Sequence, residues 1–206
     1  MAPTTRSQSR RSSHLVKLLR TGRTHHGYTY VPGLNVCPDP WTDEDLGGGL
    51  YACELRYLPL WLGLYPDITE VAWVQVPAGA KVRLLGCKIK ADRLVLSEFM
   101  PLADAFALAI AAGADIEDEE DSPLRWAASS GNTEAVRLLL AAGADVHALN
   151  DAALRGAVEL GRTECVRLLL TAYTPTSDPY LINRVLYMAR ANGHKDVVRL
   201  LRTFRG

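Results

Sequence analysis

The spacing of apolar residues changes along the chain and divides it into a strand-rich part and a helical part. Short apolar runs such as VAWVQV (71–76) and RLVL (93–96) are bounded by turn residues, which is typical of β-strands. Beyond Pro101 the apolar residues are mainly Ala and Leu at spacings of three and four, which predicts α-helices. The pattern therefore predicts a β-rich α+β module over residues 25–100 and helices over residues 101–206.

The helical part contains an internal repeat. The motif VRLL occurs at residues 136–139, 166–169 and 198–201, and the glycines five residues before these copies are Gly131, Gly161 and Gly193. In each unit we expect a short helix that ends at the glycine, which suits a left-handed C-cap, and then a longer helix, with Thr133 as the N-cap in the first copy. A helical hairpin this thin cannot cover its own apolar side, so neighbouring copies would bury it by stacking.

The segment SPLRWAASSGNTEAVRLLLAAGADV (122–146) resembles the ankyrin repeat in its opening helix, its central glycine and its GAD ending. The resemblance covers residues 101–206 as a capping half-repeat, two good repeats and a degenerate C-terminal repeat. The units are about three residues shorter than the usual 33, and in this they look like the ankyrin units of giant DNA viruses. The fold class implied is an α+β N-terminal module followed by an all-α ankyrin-repeat solenoid.

The α+β module carries a second resemblance. The stretches HHGYTYVPGLNV, GGGLYACELRYLPLWL and ITEVAWVQV are similar, in order and spacing, to the HxGYxYxxGLN and GGLY module at the front of ankyrin proteins of large viruses. The resemblance implies a virus-encoded protein of two parts, whose helical part binds a host or viral protein. The expected location is the host cytoplasm or nucleus, or the virion.

The resemblance implies that partners contact the inner helices and the fingers that join neighbouring repeats. The candidates on the inner helices are Arg125, Trp126, Arg155 and Glu159, and those at the fingers are Glu117, Asp118, Glu119, Glu120, His147 and Asn150. Arg and Trp are the side chains that most often dominate the energy of protein interfaces. The acidic run at the first finger either receives a basic partner or is a solvated loop.

An enzymatic interpretation competes with binding. A His-Gly pair followed by a GGLYA strand is also the skeleton of ADP-ribosyltransferases, in which His26 and Tyr51 would hold NAD and Glu98 would activate the ribose. That chemistry requires the carboxylate to come within hydrogen-bonding reach of the sugar. The alternative is that His25 and His26 bond backbone groups and that Tyr51 packs in the core. We favour a non-enzymatic protein and expect neither a cofactor nor a metal ion.

The total charge is balanced, because 23 basic residues match 23 acidic ones, but the first 24 residues contain no acid. Their cations are Arg6, Arg10, Arg11, Lys17, Arg20 and Arg23, and they form a Ser/Arg-rich basic arm in which HLVKLLR is a candidate short helix. Such an arm could contact nucleic acid or a capsid, which would suit a structural or minor virion component. No apolar run is long enough to predict a membrane span.

The loop PDPWTDEDLGGG (38–49) combines turn residues, acids and a tryptophan. Loops of this composition often carry recognition residues. The alternative interpretation is a simple connection anchored by a buried Trp41.

Overall fold

The structure, a computed structural model, describes residues 14–25, 27–45, 47–65, 67–116, 123–173 and 180–204. The chain forms two compact units. The strand-rich unit runs to Leu58 and resumes at Asp67–Gly113, and the helical unit combines Pro59–Pro66 with Ala114–Gly206. None of the helices in the described ranges has the length and apolar composition needed to cross a bilayer.

The strand-rich unit is built on an antiparallel sheet of seven strands among the described residues. In chain order the strands are β1 Leu15–Arg20, β2 Thr24–His25, β3 Tyr28–Thr29, β4 Gly33–Val36, β5 Leu50–Glu54, β6 Ile68–Gln75, β7 Val82–Leu85, β8 Lys88–Ala91 and β9 Arg93–Pro101. The order across the sheet is β4-β9-β6-β1-β5-β8-β7, while β2 and β3 form a separate hairpin. Strands β6 and β9 confirm the two strands predicted from VAWVQV and RLVL.

The helices in chain order are α1 Leu58–Leu64, α2 Leu102–Ala111, α3 Pro123–Ser130, α4 Thr133–Ala141, α5 Ala148–Glu159, α6 Thr163–Ala172, α7 Leu181–Ala191 and α8 Lys195–Phe204. Among the described residues of the strand-rich unit, Thr21–Arg23 and Leu55–Tyr57 form short 3-10 helices.

The central position of β1 corrects the described part, residues 14–24, of the predicted basic arm. The segment expected to form a short helix is a strand that pairs with β5 on one side and β6 on the other, and its side chains from Leu15 to Leu19 are buried. Pairing on both sides satisfies the backbone N–H and C=O groups of a segment this apolar. Of the predicted arm cations, Lys17 is in the core, Arg20 pairs with Asp67 and Arg23 pairs with Glu70. Arg6, Arg10 and Arg11 lie outside the described residues.

One core of the strand-rich unit surrounds Tyr30 and includes Leu19 and Leu94 from strands β1 and β9. Helix α2, predicted from the sequence as the capping half-repeat, packs on β6 and β9 and buries Leu102 and Phe106. The sheet therefore buries residues on more than one side, which explains why β1 reads as a nearly continuous apolar run rather than an alternating one.

Lys17 is a lysine inside this core. It is 3% exposed, its Nζ lies 2.8 Å from Nδ1 of His25, and the same nitrogen is 4.8 Å from the ring centroid of Tyr30. Burial, which removes hydration from the ammonium, lowers the pKa of Lys17 to about 7. His25 therefore contacts a buried amine, a side-chain partner that the sequence did not indicate.

The loop at residues 38–49 is anchored by Lys90, a completely buried lysine of β8. The Lys90 ammonium donates to the carbonyl oxygens of Thr42 (2.9 Å) and Glu44 (2.7 Å) and lies 5.1 Å from the Trp41 ring. Trp41 itself is half-buried, and its Nε1 donates to Asp43. The buried anchor of this loop is therefore the lysine and not the tryptophan.

In the helical unit the helices α3, α5 and α7, called the inner helices here, contact one another in series. The helices α4, α6 and α8, called the outer helices, form a second series, and each inner helix packs on the outer helix that follows it. The expected order of a short helix and then a longer one holds only for α3 and α4, because α5 with 12 residues and α7 with 11 are longer than α6 and α8 with 10 each. The repeated leucines Leu139, Leu169 and Leu201 are all buried between these helices. Burial of equivalent leucines accounts for the repetition of the VRLL motif.

The caps of the repeated helices agree only partly with the sequence expectation. Gly131 has φ of +85°, as expected for a left-handed C-cap. The N-cap of α4 is Asn132 and not Thr133, because the Asn132 side chain accepts a hydrogen bond from the Ala135 N–H. Asn is at least as good an N-cap as Thr, and here its amide nitrogen makes a second bond.

Each pair of helices bonds back to a preceding helix through the residue that follows its glycine. The bonds run from Asn132 Nδ2 to Leu62 O (3.0 Å), from Arg162 Nε to Ser129 O (3.0 Å) and from His194 Nε2 to Glu159 O (2.9 Å). The first acceptor belongs to α1, which lies in sequence between β5 and β6 but contributes Pro59–Pro66 to the helical unit. Helix α1 thus accepts a hydrogen bond from the residue that follows Gly131, just as α3 accepts one from the residue that follows Gly161.

Candidate binding surface on the inner helices

Two of the predicted contact arginines occupy equivalent positions on neighbouring helices. Arg125 of α3, Arg155 of α5 and Tyr187 of α7 each lie six residues before the glycine of their unit. Because α3 contacts α5 and α5 contacts α7, these three positions form a row across the inner helices. Packed helices lie about 8–10 Å apart, which sets the spacing of the row. We call the surface made by Arg125, Trp126, Arg155 and Tyr187 the inner face.

Aromatic side chains are accessible on the inner face. Trp126 is 38% exposed, and the Arg125 guanidinium lies 5.4 Å from its ring centroid, within cation–π range. Tyr187 is 75% exposed. A large ring beside a guanidinium is the composition found at the energetic centres of protein interfaces.

Arg155 also holds the first residues of α5, where the backbone is not α-helical. Its Nη2 donates to the Leu149 carbonyl at 3.1 Å. Leu149, Asn150 and Asp151 have φ of +54°, +56° and +59°, so the chain turns through three consecutive left-handed residues, a segment that we call the finger turn. Left-handed backbone costs about 1–2 kcal/mol for an ordinary L-residue, less for Asn and Asp. Such a turn persists only where surrounding contacts hold it.

The contacts that hold the finger turn centre on His147. The Asp145 carboxylate accepts from the His147 N–H at 2.9 Å, and His147 Nδ1 lies 2.8 Å from Oδ1 of the buried Asp151. The His147 ring packs edge-on against Tyr173, which in turn contacts Phe204 of α8. The ring of His147, which was predicted to contact a partner, is thus engaged by Asp151 and Tyr173 of the same chain.

The other predicted finger and helix candidates differ in exposure. Asn150 is exposed at the finger turn, and Glu159 is exposed at the end of α5. The Glu159 carbonyl lies within hydrogen-bonding distance of the Asn192 and His194 side chains. Glu117, Asp118, Glu119 and Glu120 lie outside the described residues, as does His26.

The outer helices carry a different arrangement of charge. Arg137 pairs with Glu134 at 2.6 Å, and Arg167 pairs with Glu164 at 3.1 Å. Arg199 and Asp196 form the same i,i+3 pair on α8. The hydrogen bond and the charge of Glu134 raise the pKa of Arg137. Arg137, Arg167 and Arg199 are thus matched by acids of their own helix, a pattern typical of solvated helix surfaces.

The described residues of the enzymatic interpretation do not come together. Tyr51 lies on β5 and Glu98 on β9, and strands β6 and β1 stand between them, which separates the two by roughly 14 Å along the sheet. The Tyr51 hydroxyl donates to the Asp45 carbonyl, and Glu98 is exposed at an irregularity of β9 with φ of +47°. The structure therefore does not bring Tyr51 and Glu98 together.

The part of the chain that the structure describes also holds no group of three His, Cys, Asp or Glu side chains close enough to ligate a metal ion.

Comparisons with known proteins agree with the repeat pattern. Residues 101–183 match the family model for ankyrin repeats (3 copies). Over 120 residues the chain is 31% identical to an ankyrin repeat protein of Acanthamoeba polyphaga mimivirus, an alignment that covers 52% of this chain and 38% of the viral protein. The chain thus spans less than half the length of that relative. Ankyrin repeats are present, and the chain has a viral relative.

Proposed function

We propose that the chain is a non-enzymatic protein of a large DNA virus whose inner face binds another protein, of the host or of the virus. The ankyrin repeats at residues 101–183 and the mimivirus relative support the class of function. We further propose that the protein acts in the host cytoplasm or nucleus or within the virion. Fractionation of infected cells and quantification of the chain in purified particles test the location.

The observation that carries the proposal is the presence of accessible aromatic rings beside arginines on the inner helices. The inner helices carry Arg125 and Arg155 with the accessible rings of Trp126 and Tyr187. Aromatic and Arg side chains that are accessible on one face offer a large contact area to a partner protein. A helix face that is only in contact with water does not need side chains of this kind.

The test is capture of partners by the full tagged chain from host lysate, quantified by mass spectrometry. The double variant Arg125→Ala/Trp126→Ala should lose the captured partner by about tenfold or more, because each such side chain is worth roughly 1–3 kcal/mol in an interface. The matched control is Arg137→Ala/Arg167→Ala, which removes two arginines from the outer helices.

The expected result is a partner that the control retains and the inner-face variant loses. The proposal fails if no partner is enriched reproducibly, or if both variants lose it equally.

A further inference from the structure

Strand β4 forms one edge of the seven-stranded sheet. It pairs with β9 on one side, and no strand among the described residues pairs with it on the other. Just beyond the paired residues, the Cys37 N–H donates to the Asp92 carbonyl at 2.8 Å. Because hydrogen-bonded and non-hydrogen-bonded pairs alternate along an antiparallel ladder, this bond fixes the pattern, and the N–H and C=O groups of Leu34 and Val36 point away from β9, toward the open edge.

The same two residues expose apolar side chains. Leu34 is 56% exposed and Val36 is 53% exposed. Residues two apart in a strand point to the same face of a sheet, so these side chains lie together, and Asn35 between them is buried on the other face. Outward backbone groups and accessible apolar side chains therefore coincide at two residues of β4.

The β4 edge lacks the features that usually prevent strand pairing. Natural sheet edges are protected by charged side chains or by bulges. Residues 33–37 (GLNVC) contain no charged side chain, and β4 pairs with β9 in a continuous register. At the opposite edge, β7 also exposes Val82 and Leu84, but Lys81 and Arg83 alternate with them in sequence. Of these two edges, β4 is thus the one that is open to pairing.

The side chain of Asn35 fixes the backbone of this edge. Its Oδ1 accepts a hydrogen bond from the Val31 N–H at 2.9 Å, and its Nδ2 donates to the carbonyl oxygens of Val31 at 2.8 Å and Gly33 at 3.0 Å. A strand that is held in this way needs little further ordering when a partner binds, which lowers the entropic cost of association.

We infer that β4 binds an extended apolar segment of a partner protein, which adds to the sheet as a further strand. The N–H and C=O groups of Leu34 and Val36 bond to the backbone of the segment, and its apolar side chains at positions i and i+2 pack against the side chains of the same two residues. Addition of a strand to a sheet edge is a general mode of peptide recognition, in which backbone bonds give affinity and alternate side chains give specificity. This surface lies in the strand-rich unit and is separate from the inner face.

The small size of the edge favours a peptide segment over a second copy of the chain. Pro32 and Pro38 flank the strand, and proline has no N–H to donate. Pairing is thereby limited to Leu34 and Val36, which offer roughly four backbone hydrogen bonds. Two copies that pair along such an edge would bury roughly a few hundred Å², whereas specific dimers bury about 1,200–2,000 Å².

The experiment begins with selection of random twelve-residue peptides, displayed on phage, against the immobilised full chain. We expect enrichment of β-branched or aromatic residues at positions i and i+2, with no proline between them. A labelled selected peptide should bind the variant Leu34→Lys/Val36→Lys about tenfold or more weakly, because charged side chains at an edge oppose strand pairing. The matched control is Val82→Lys/Leu84→Lys, which replaces the same two residue types at exposed positions of β7 and should change binding by less than about threefold.

Methylation of single backbone nitrogens of the peptide tests strand pairing on the natural chain. In an added strand every second N–H faces β4. Methyl groups on those nitrogens should weaken binding about tenfold or more, and methyl groups on the intervening nitrogens should change it by less than about threefold. Because the protein is unaltered, this series also tests the inference if the lysine variant does not fold.

Amide hydrogen exchange, followed by NMR, locates the bound peptide. A saturating concentration should slow the exchange of the Leu34 and Val36 amides about tenfold or more, because these groups become hydrogen-bonded. The Cys37 amide already donates to Asp92 and should change little.

Several outcomes would overturn the inference. These are selection of no peptide, equal binding to Leu34→Lys/Val36→Lys, loss of binding in the β7 control, and an N-methyl series without alternation. Leu34 and Val36 amides that are already protected in the free monomer would show that another segment of the same chain occupies the edge. A dimer in sedimentation equilibrium that Leu34→Lys/Val36→Lys dissociates would assign the edge to a second copy. The proposed function is tested separately, because capture through Arg125 and Trp126 does not involve β4.

Discussion

The buried lysine of β1 yields a prediction in which the effect of a mutation changes with pH. In the folded protein burial lowers the pKa of Lys17 from 10.5 to about 7, so folding releases a proton from this residue between those two pH values. The unfolded chain binds more protons in that window, and the stability of the strand-rich unit should therefore rise as the pH increases from about 7 toward 10.5. Lys17→Met removes this dependence.

The size of the stability change caused by Lys17→Met follows from two effects, the removal of the lowered pKa of Lys17 and the loss of its hydrogen bond with His25. At pH 7 the neutralisation of Lys17 costs roughly 4 kcal/mol, since each unit of pKa corresponds to about 1.4 kcal/mol. The substitution also removes the 2.8 Å contact with His25, and a buried imidazole nitrogen left without it costs about 1–3 kcal/mol. Lys17→Met should thus stabilise the unit by roughly 1–3 kcal/mol at pH 7. At pH 10, where the neutralisation cost has largely disappeared, the variant should be equally stable or less stable.

Thiol labelling in a urea series measures this effect in the strand-rich unit alone. Cys53 of β5 pairs with Val16 of β1, and burial raises the pKa of its thiol to about 12, so labelling requires the unit to open. Cys165 is buried in the helical unit and gives an internal reference. Lys81→Met replaces an exposed lysine of the same unit and should have a small effect that does not depend on pH. A Lys17→Met effect of the same sign and size at pH 7 and pH 10 would refute the reasoning.

Two further predictions concern close contacts. Lys90→Met should destabilise the strand-rich unit by about 2–4 kcal/mol and make residues 38–49 sensitive to limited proteolysis, because the Thr42 and Glu44 carbonyls lose a charged donor; an unchanged cleavage pattern would contradict this. Gly161→Ala should cost about 1–2 kcal/mol more than Gly193→Ala in urea unfolding. Both glycines have positive φ, but a Cβ at Gly161 would lie 2.6 Å from His194 Nδ1, whereas nothing lies within 4 Å at Gly193. Equal losses of stability in the two variants would show that the contact between the new Cβ and His194 does not contribute.

Site residues were predictable where the repeat places them and not where the fold combines distant segments. Arg125 and Arg155 could be assigned to one row because they precede their glycines by the same number of residues. The finger turn could not be recognised, since a left-handed Leu149 is contrary to the local preference of leucine and depends on contacts with residues elsewhere in the chain. A weak signal was the Asn-Asp pair that follows Leu149, because both residues tolerate this conformation.

The separation of Tyr51 from Glu98 has a similar cause. Tyr51 and Glu98 were compared by their order in the sequence, whereas their distance is set by which strands pair. The sheet inserts β1, from the predicted arm, between β5 and β6, and this insertion separates the two residues. Motif order alone contains no information about such a crossover.

By itself the sequence determined the repeats, the glycines between their helices, and the strands β6 and β9, because these depend on contacts or periodicities within a short stretch of chain. Tertiary structure alone decided that the segment around Lys17 is a central strand and that α1 serves the helical unit. Both outcomes depend on partners far away in sequence, whose burial and hydrogen bonds outweigh the local helical and polar preferences of these segments.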